Sequence, residues 1–399
     1  MKRFLSLAIA FALLSACADD DIRSTLLTIE NGGVYWEGEE HFAFVTDQNG
    51  QLLDIQDIDR NTPIHIRSSQ QNITQIDLTL ASIGNREEGK TMILETFTNV
   101  PAGATIKLHQ PLPVLPPIEV TQFELRISDP ADALSAPRLS VLPHIYNPGY
   151  EHIIEPDHYI LRGQIPRAAQ YVIVSAYRDG NPVYWKGAPQ IGVVTELNVS
   201  DFVPQEGILS VPDNVYTVVH GLNSIKERNQ VVLSRIDAND AANSRQVGYV
   251  PGFPNYLTEQ WISGTATNPV LTWRIKYGAP LEDPTVSVRD LAVLSETPDD
   301  FQLSTTADFD YQSIRFNASL QKNYLQWTVH ADAASSASLR WDFPQELKKY
   351  GAWVKKENFD FGYAAVIDGH GTFTYSDFLN ERLFDVEKPF DRTTYSRSF

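Results

Sequence analysis

The sequence predicts an all-β protein: two to three immunoglobulin-like or transthyretin-like β-sandwich domains in tandem, with a short helix near the C-terminus. Three observations carry this expectation. Short segments rich in Val, Ile, Thr, Tyr and Phe recur between clusters of Gly, Pro, Asn and Asp, the pattern of strands closed by turns. Beyond residue 22 no long stretch keeps the apolar period of an amphipathic helix. The chain also carries 24 prolines, which suit turns and edge strands and would break a helical bundle.

Taken in order, the predicted strands begin with His41 to Thr46, Ile73 to Leu80 and Thr91 to Phe97. They continue with Tyr171 to Tyr177, Val215 to His220 and Gln230 to Ile236, and end with Val270 to Tyr277, Ser313 to Leu320 and Tyr324 to His330. Each is β-branched or aromatic enough to sit on a pleated, half-buried surface. The one predicted helix, Gln345 to Lys356, follows Pro344. Pro111-Leu112-Pro113-Val114-Leu115-Pro116-Pro117 is stiff and extended and closes a first domain, 24–117. The polar run Asp237-Ala238-Asn239-Asp240-Ala241-Ala242-Asn243-Ser244 divides the remainder into 118–239 and 240–399. Two strands entering Asn-Gly or Asp-Gly turns, Ala43 to Gly50 and Ile173 to Gly180, echo each other as repeated hairpins.

The first residues give an address. Lys2 and Arg3 precede the apolar run Phe4 to Leu14, the anatomy of a secretion signal and too short for a membrane span. Leu14-Ser15-Ala16-Cys17 resembles a bacterial lipobox, and Cys17 is the only cysteine in the chain. The resemblance implies a signal peptide over 1–16, lipidation of Cys17 as the mature N-terminus, palmitate among its acyl chains, and a tether over 17–23. Such chains hold a protein at a membrane without a transmembrane helix. Ala18-Asp19-Asp20-Asp21 resembles the acidic export signal of Bacteroidota surface lipoproteins, and charged residues also suit a solvated tether. With the hairpin at Asp47-Gln48-Asn49-Gly50 and the turn Thr98 to Ala104, the chain resembles multi-domain β-sandwich lipoproteins of that group. What this implies is a place, the outer membrane and its outer face, and no functional residue besides Cys17.

Composition excludes several classes. Fifty acidic against 32 basic residues leave a net charge of −18, which repels phosphate backbones and argues against nucleic acid. A nucleotide is excluded on context. Gly84-Asn85-Arg86-Glu87-Glu88-Gly89-Lys90-Thr91 fits the phosphate-loop pattern, but Thr91 to Phe97 reads as a strand where a helix is required. Two carboxylates in the cradle would also repel phosphate.

Metal and catalytic signals are sparse. His144, Glu151, His152, Glu155, Asp157 and His158 stand close in sequence, yet Pro148-Gly149 and Pro156 argue for a loop over the helical turn that would join His152 and Glu155. The expectation is no cofactor, with structural calcium left open at Asp54 to Asp59 and Asp237 to Asn243. No Gly-x-Ser-x-Gly or His-Glu-x-x-His occurs. A Ser-His-Asp set or carboxylate pair assembled from distant residues stays open, so a secreted hydrolase is the less favoured alternative.

The seven tryptophans, Trp36, Trp185, Trp261, Trp273, Trp327, Trp341 and Trp353, offer flat rings that can stack on sugars. Tyr184-Trp185-Lys186 after a turn is the expected exposed group, whereas Trp273 and Trp327 lie in alternating strands and are expected in the core. The C-terminal Phe399 matches the end of an outer-membrane barrel, but Asp391 and Arg397 break the lipid-facing alternation. The reading is a non-catalytic binding module for a glycan or protein partner at the outer membrane. An accessory subunit of an outer-membrane complex is the alternative.

Overall fold

In a computed structural model of the chain, the described residues are 23–31, 40–58, 62–86, 89–108, 119–128, 134–142, 150–167, 169–188, 192–223, 230–237, 245–320, 322–334, 343–349, 354–384, 386 and 388–398. The signal and tether, Cys17, the proline run after residue 110, and Trp36, Trp341 and Trp353 lie outside them. The chain is nearly all strand, as its turn-punctuated pattern requires.

The first stretch holds β1 (Ser24–Asn31), β2 (Glu40–Thr46), β3 (Leu52–Asp57), β4 (Ile64–Ser68), β5 (Gln75–Arg86), β6 (Gly89–Pro101) and β7 (Ala104–Leu108). The middle holds β8 (Val120–Ser128), β9 (Leu134–Leu142), β10 (Tyr150–Glu155), β11 (His158–Pro166), β12 (Tyr171–Arg178), β13 (Asn181–Gly187), β14 (Val194–Asn198) and β15 (Val203–Pro204). Then follow β16 (Glu206–Ser210), β17 (Tyr216–Leu222), β18 (Gln230–Ile236), β19 (Gln246–Tyr249), β20 (Asn255–Ile262) and β21 (Leu271–Gly278). The last stretch holds β22 (Leu291–Ser295), β23 (Gln302–Thr305), β24 (Tyr311–Leu320), β25 (Asn323–Asp332), helix α1 (Gln345–Lys348), β26 (Asp360–Asp368), helix α2 (Tyr375–Leu383) and β27 (Phe390–Ser398).

β8 to β15 form a sandwich of two four-stranded sheets, ordered β10-β11-β8-β14 and β15-β13-β12-β9. Alternating residues such as Phe123, Leu125, Leu161, Val172 and Val174 meet Phe202 in its core. The rest is organised by one 12-stranded sheet, ordered β18-β17-β20-β21-β27-β26-β24-β25-β6-β5-β2-β3. Its pairs are antiparallel except β25 with β6, where Trp327 stands beside Leu94 in a parallel seam. Residues of 24–117 and of 240–399 therefore share one sheet, where the sequence predicted separate sandwiches. The 118–239 segment is likewise divided, since β17 and β18 join the large sheet. Turn signals mark strand ends but do not say which distant strand closes an open edge.

The alternation of side chains gives the large sheet two faces. One carries Phe44, Ile83, Met92, Leu94, Ile314, Phe316, Trp327 and Val366, buried beneath Leu291, Phe301, Phe343, Leu347 and Phe359 from the β22–β23 and α1 regions. Trp327 is fully buried there, as expected, and its indole N–H donates to Thr96 Oγ1 at 2.9 Å. The other face carries Val45, Leu78, Phe97, Tyr311, Ala365 and Ile367, covered at one end by β1, β4 and β7 and by Phe378, Leu379 and Leu383 of α2.

The middle sandwich docks on β18 through Ile173 and Tyr177, which pack with Val231, Leu233 and Ile236. Ser140, Gln205 and Tyr177 donate side-chain hydrogen bonds to the carbonyls of Val232, Leu233 and Arg235. Those donors blunt the sheet edge that β18 would present.

The helical expectation is corrected. Among the described residues of the predicted segment only Gln345–Lys348 is α-helical, with no side-chain cap and Leu347 its one buried residue, so little sustains it. The longer helix is α2, which starts at Thr374. No helix among the described residues is long and apolar enough to cross a membrane.

Candidate functional site

Several expected groups do not converge. Gly84-to-Thr91 is a β-hairpin: Asn85 faces Lys90 and Arg86 faces Gly89 across β5 and β6, so no helix N-terminus meets a phosphate there. The His152 group, expected in a loop, forms the β10–β11 hairpin. His152 and Glu155 fall on opposite faces of β10, and His152 stacks on Tyr159 with centroids 5.7 Å apart, while burial lowers its basicity. His144 lies outside the described residues.

Asp54 is engaged too. Its carboxylate accepts from the backbone N–H groups of Ile55 and Arg67 and from Gln56 Nε2. Asp237 binds Arg235, and residues 238–243 lie outside the described residues. Among the described residues no three His, Cys, Asp or Glu side chains are close enough to hold a metal ion.

The tryptophan expectations are partly reversed. Trp185 packs on the core of the middle sandwich and Tyr184 on the opposite, docking face, because they are neighbours in a strand with two covered sides. Lys186 lies over the rings of Tyr171 and Phe253. Trp273, expected in the core, is 40% exposed: it stands in the row of Thr394 and Ile367, on the sheet face that α2 covers elsewhere but leaves open at β21.

Register places Trp273 beside Trp261, and Trp261 beside Tyr216, in one row across β21, β20 and β17. Tyr216 stacks on Trp261 with centroids 3.6 Å apart, and the Arg235 guanidinium lies 5.0 Å from the Tyr216 ring centre. Arg235 in turn holds Asp237 Oδ1 through Nε (3.1 Å) and Nη2 (2.8 Å), with Arg138 at 3.7 Å from Oδ2. Glu259 stands two residues from Trp261 on the same face, its pKa raised by burial, with His220 at 4.0 Å. Arg235, Tyr216 and Trp261 satisfy one another as a packing ladder. Trp273 adds what packing does not require: an aromatic surface open to solvent, at the opposite end of the row from the Arg235–Asp237 pair.

The covered part of that sheet face holds a polar network that sequence reasoning missed. Glu95 (β6) accepts from His330 Nε2 at 3.1 Å and from Arg382 of α2 at 2.8 Å, and His330 Nδ1 lies 2.7 Å from Ser313 Oγ. The carboxylate only accepts, which makes Nε2–H the donor to Glu95. His330 stacks on Phe97 and packs against Phe378. Burial would raise the Glu95 pKa, but the hydrogen bonds and charges of His330 and Arg382 win and hold it at about 2.

The order Ser, His, Glu resembles a hydrolase triad, but Ser313 lies mid-strand with ladder partners on both sides. Its backbone leaves no converging N–H groups for an oxyanion. The network fastens α2 to the sheet. No local signal could have found it, because its members come from four separate elements. Nearby, Asp77 accepts the Asn99 backbone N–H, and Asn99 Nδ2 donates to Asp332. Burial, then the charges of Asp47 and Asp332, push Asp77 to about 6 against the pull of the Asn99 bond.

In comparisons with family models, curated proteins and solved structures, none matches the chain.

Proposed function

We propose that the protein is a lipid-anchored envelope protein that binds a glycan without catalysis at the outer face of the outer membrane. The observation that carries the binding reading is Trp273, a solvent-open indole at the end of the Trp261–Tyr216 row. A pyranose has an apolar face that stacks on such a ring, and its hydroxyls need the paired donors and acceptors that Arg235 and Asp237 supply at the row's far end. Three strand spacings separate Trp273 from the Asp237 end, roughly 15 Å, a span suited to a short oligosaccharide. The ladder partners on both sides of Ser313 speak against that serine as a hydrolase nucleophile. The anchor and address rest on Lys2 to Cys17 and the Asp19 to Asp21 cluster.

Ligand-observed NMR on the detergent-solubilised full-length protein tests the binding reading with neutral gluco- and manno-oligosaccharides. Saturation transfer is expected for the wild type and lost in W273A, with the melting temperature unchanged. Transfer that persists in W273A, or none with any neutral oligosaccharide, overturns it. For the anchor, C17A is expected to abolish palmitate labelling and to release the chain from membranes. Labelling that survives C17A refutes lipidation there.

A further inference from the structure

The large sheet has a second open region on the same face, beyond the reach of α2, and Arg315 lies at its centre. Arg315 projects from β24 between Thr328 of β25 and Tyr363 of β26, its cross-strand neighbours. Its guanidinium lies 5.4 Å from the Tyr363 ring centre, and Nε is shut off from water with no hydrogen-bond partner. No carboxylate among the described residues pairs with it. Glu95, in the same row two strands away, is engaged by His330 and Arg382. Asp360 stands across from Asn317 and makes no ion pair with it. Tyr363 is no counter-charge either, since burial raises its pKa and its phenol stays neutral. A half-buried cation with an unmade bond is costly, and a chain with 50 acidic residues had ample means to neutralise it.

The surroundings are arranged around this cation. The register of β24 against β26 shifts by a bulge directly after Arg315, the device that re-aims a side chain within a sheet. Across the bulge, Gly362 leaves room for Asn317 Nδ2, which a Cβ would strike. Tyr324 donates its hydroxyl proton toward Asn317 Oδ1 (3.0 Å) and Gln326 Oε1 (3.2 Å), fixing both amides by their oxygens. Their N–H₂ groups remain as donors beside the guanidinium.

We propose that Arg315 is a binding site for a single carboxylate carried on a polyhydroxylated ligand, a uronate sugar. The guanidinium fork matches a carboxylate in a bidentate pair, and swinging outward to make it gives Nε its missing acceptor. Asn317 and Gln326 then meet hydroxyls on the same ring. The net charge of −18 disfavours polyanions such as acidic peptides, so a lone carboxylate among hydroxyls is the chemistry that fits. The carrier rests on the glycan reading above, whereas the anion site rests on Arg315 alone.

The test is saturation-transfer NMR on the detergent-solubilised full-length protein with glucuronate, glucose, inorganic sulfate and a short poly-glutamate peptide as probes. Glucuronate is expected to bind, to weaken at least ~10-fold in R315Q, and to weaken less in R315K, which keeps the charge but loses the fork. W273A should leave glucuronate binding intact, so a wild type that binds glucuronate but no neutral oligosaccharide would sink the Trp273 reading and spare this one. Unchanged melting temperatures and circular dichroism certify the variants, and N317A, which leaves the guanidinium in place, should weaken glucuronate as well. The proposal falls if glucuronate does not bind or binds R315Q equally. It also falls if sulfate or poly-glutamate matches glucuronate with the same dependence on Arg315.

Discussion

Two carboxylates of the large sheet respond to pH with opposite sign. Glu95 titrates at about 2 in the folded chain, below its ordinary 4.5, because His330 and Arg382 bind its charged form. Its stabilisation is complete above 4.5 and is lost as pH falls from there toward 2. E95Q is expected to lower stability by about 2 kcal/mol at pH 7 and by progressively less toward pH 2, read from urea transitions across that range. Asp77 titrates at about 6, above its ordinary 3.8, because burial and the charges of Asp47 and Asp332 oppose ionisation. The folded state then binds the extra proton, so stability falls as pH rises from 3.8 to 6 and levels off above. D77N keeps an oxygen for the Asn99 N–H and removes the charge; it should stabilise by about 1–2 kcal/mol at pH 8 and by nothing at pH 4. A D77N protein no more stable than wild type at pH 8 would refute the burial of that charge. Neither residue stood out in the sequence, because Glu95 and Asp77 are ordinary polar positions of alternating strands until His330, Arg382 and Asp332 arrive from the far end of the chain.

Among elements, α2 shows what local sequence signals can and cannot settle. Thr374 accepts from Asp377 N–H while the Asp377 carboxylate accepts from Thr374 N–H, a capping box. Tyr375, Phe378, Leu379 and Leu383 then follow at helical spacing and are buried. These signals were present in the sequence, but Gln345 to Lys356 drew the helical expectation because Pro344 announces a first turn. Start signals only nucleate. What decides is the apolar stripe, and α2 has four buried residues where α1 has Leu347. T374A should therefore cost about 1 kcal/mol in chemical denaturation and leave α2 docked, because Tyr375 still hydrogen-bonds the Thr98 and His330 carbonyls. A cost near zero would mean that tertiary packing alone sets the helix start. The strands fared better, since each predicted strand is found and the Gly84-to-Thr91 motif is a hairpin as Thr91 to Phe97 implied. For Trp273 the same alternation misled: it puts a residue on a face without saying whether that face is covered.

At the scale of the whole molecule, the sequence displayed strands and turns but not their assembly, because the decisive pairing joins residues far apart in the chain. β6 meets β25 in parallel, and Trp327 reaches Thr96 across 231 residues. Phe42, Phe44, Ile83 and Leu94 from the first stretch complete one core with Ile314, Phe316 and Trp327, while Leu27, Ile29 and Ile66 share another with Phe378 and Leu383. Residues 24–117 taken alone would leave the Phe44, Ile83 and Leu94 face of β2, β5 and β6 open to water, and would strip Phe378, Leu379 and Leu383 of α2 from the other face, which β1, β4 and β7 cover only at one end. The middle sandwich differs: its two sheets close on Phe123, Leu125, Leu161, Val174 and Phe202, all from within β8 to β15 and the turn before β15. Expressed separately, residues 119–204 should fold with a cooperative urea transition and dispersed amide signals, exposing Ile173 and Tyr177 where they dock on β18. Residues 24–117 should stay unfolded alone and gain structure when 205–399 is supplied in trans, since that piece carries β25 and α2. If instead 24–117 folds cooperatively by itself, the β6–β25 seam is a contact between finished domains and the one-sheet account of the molecule fails.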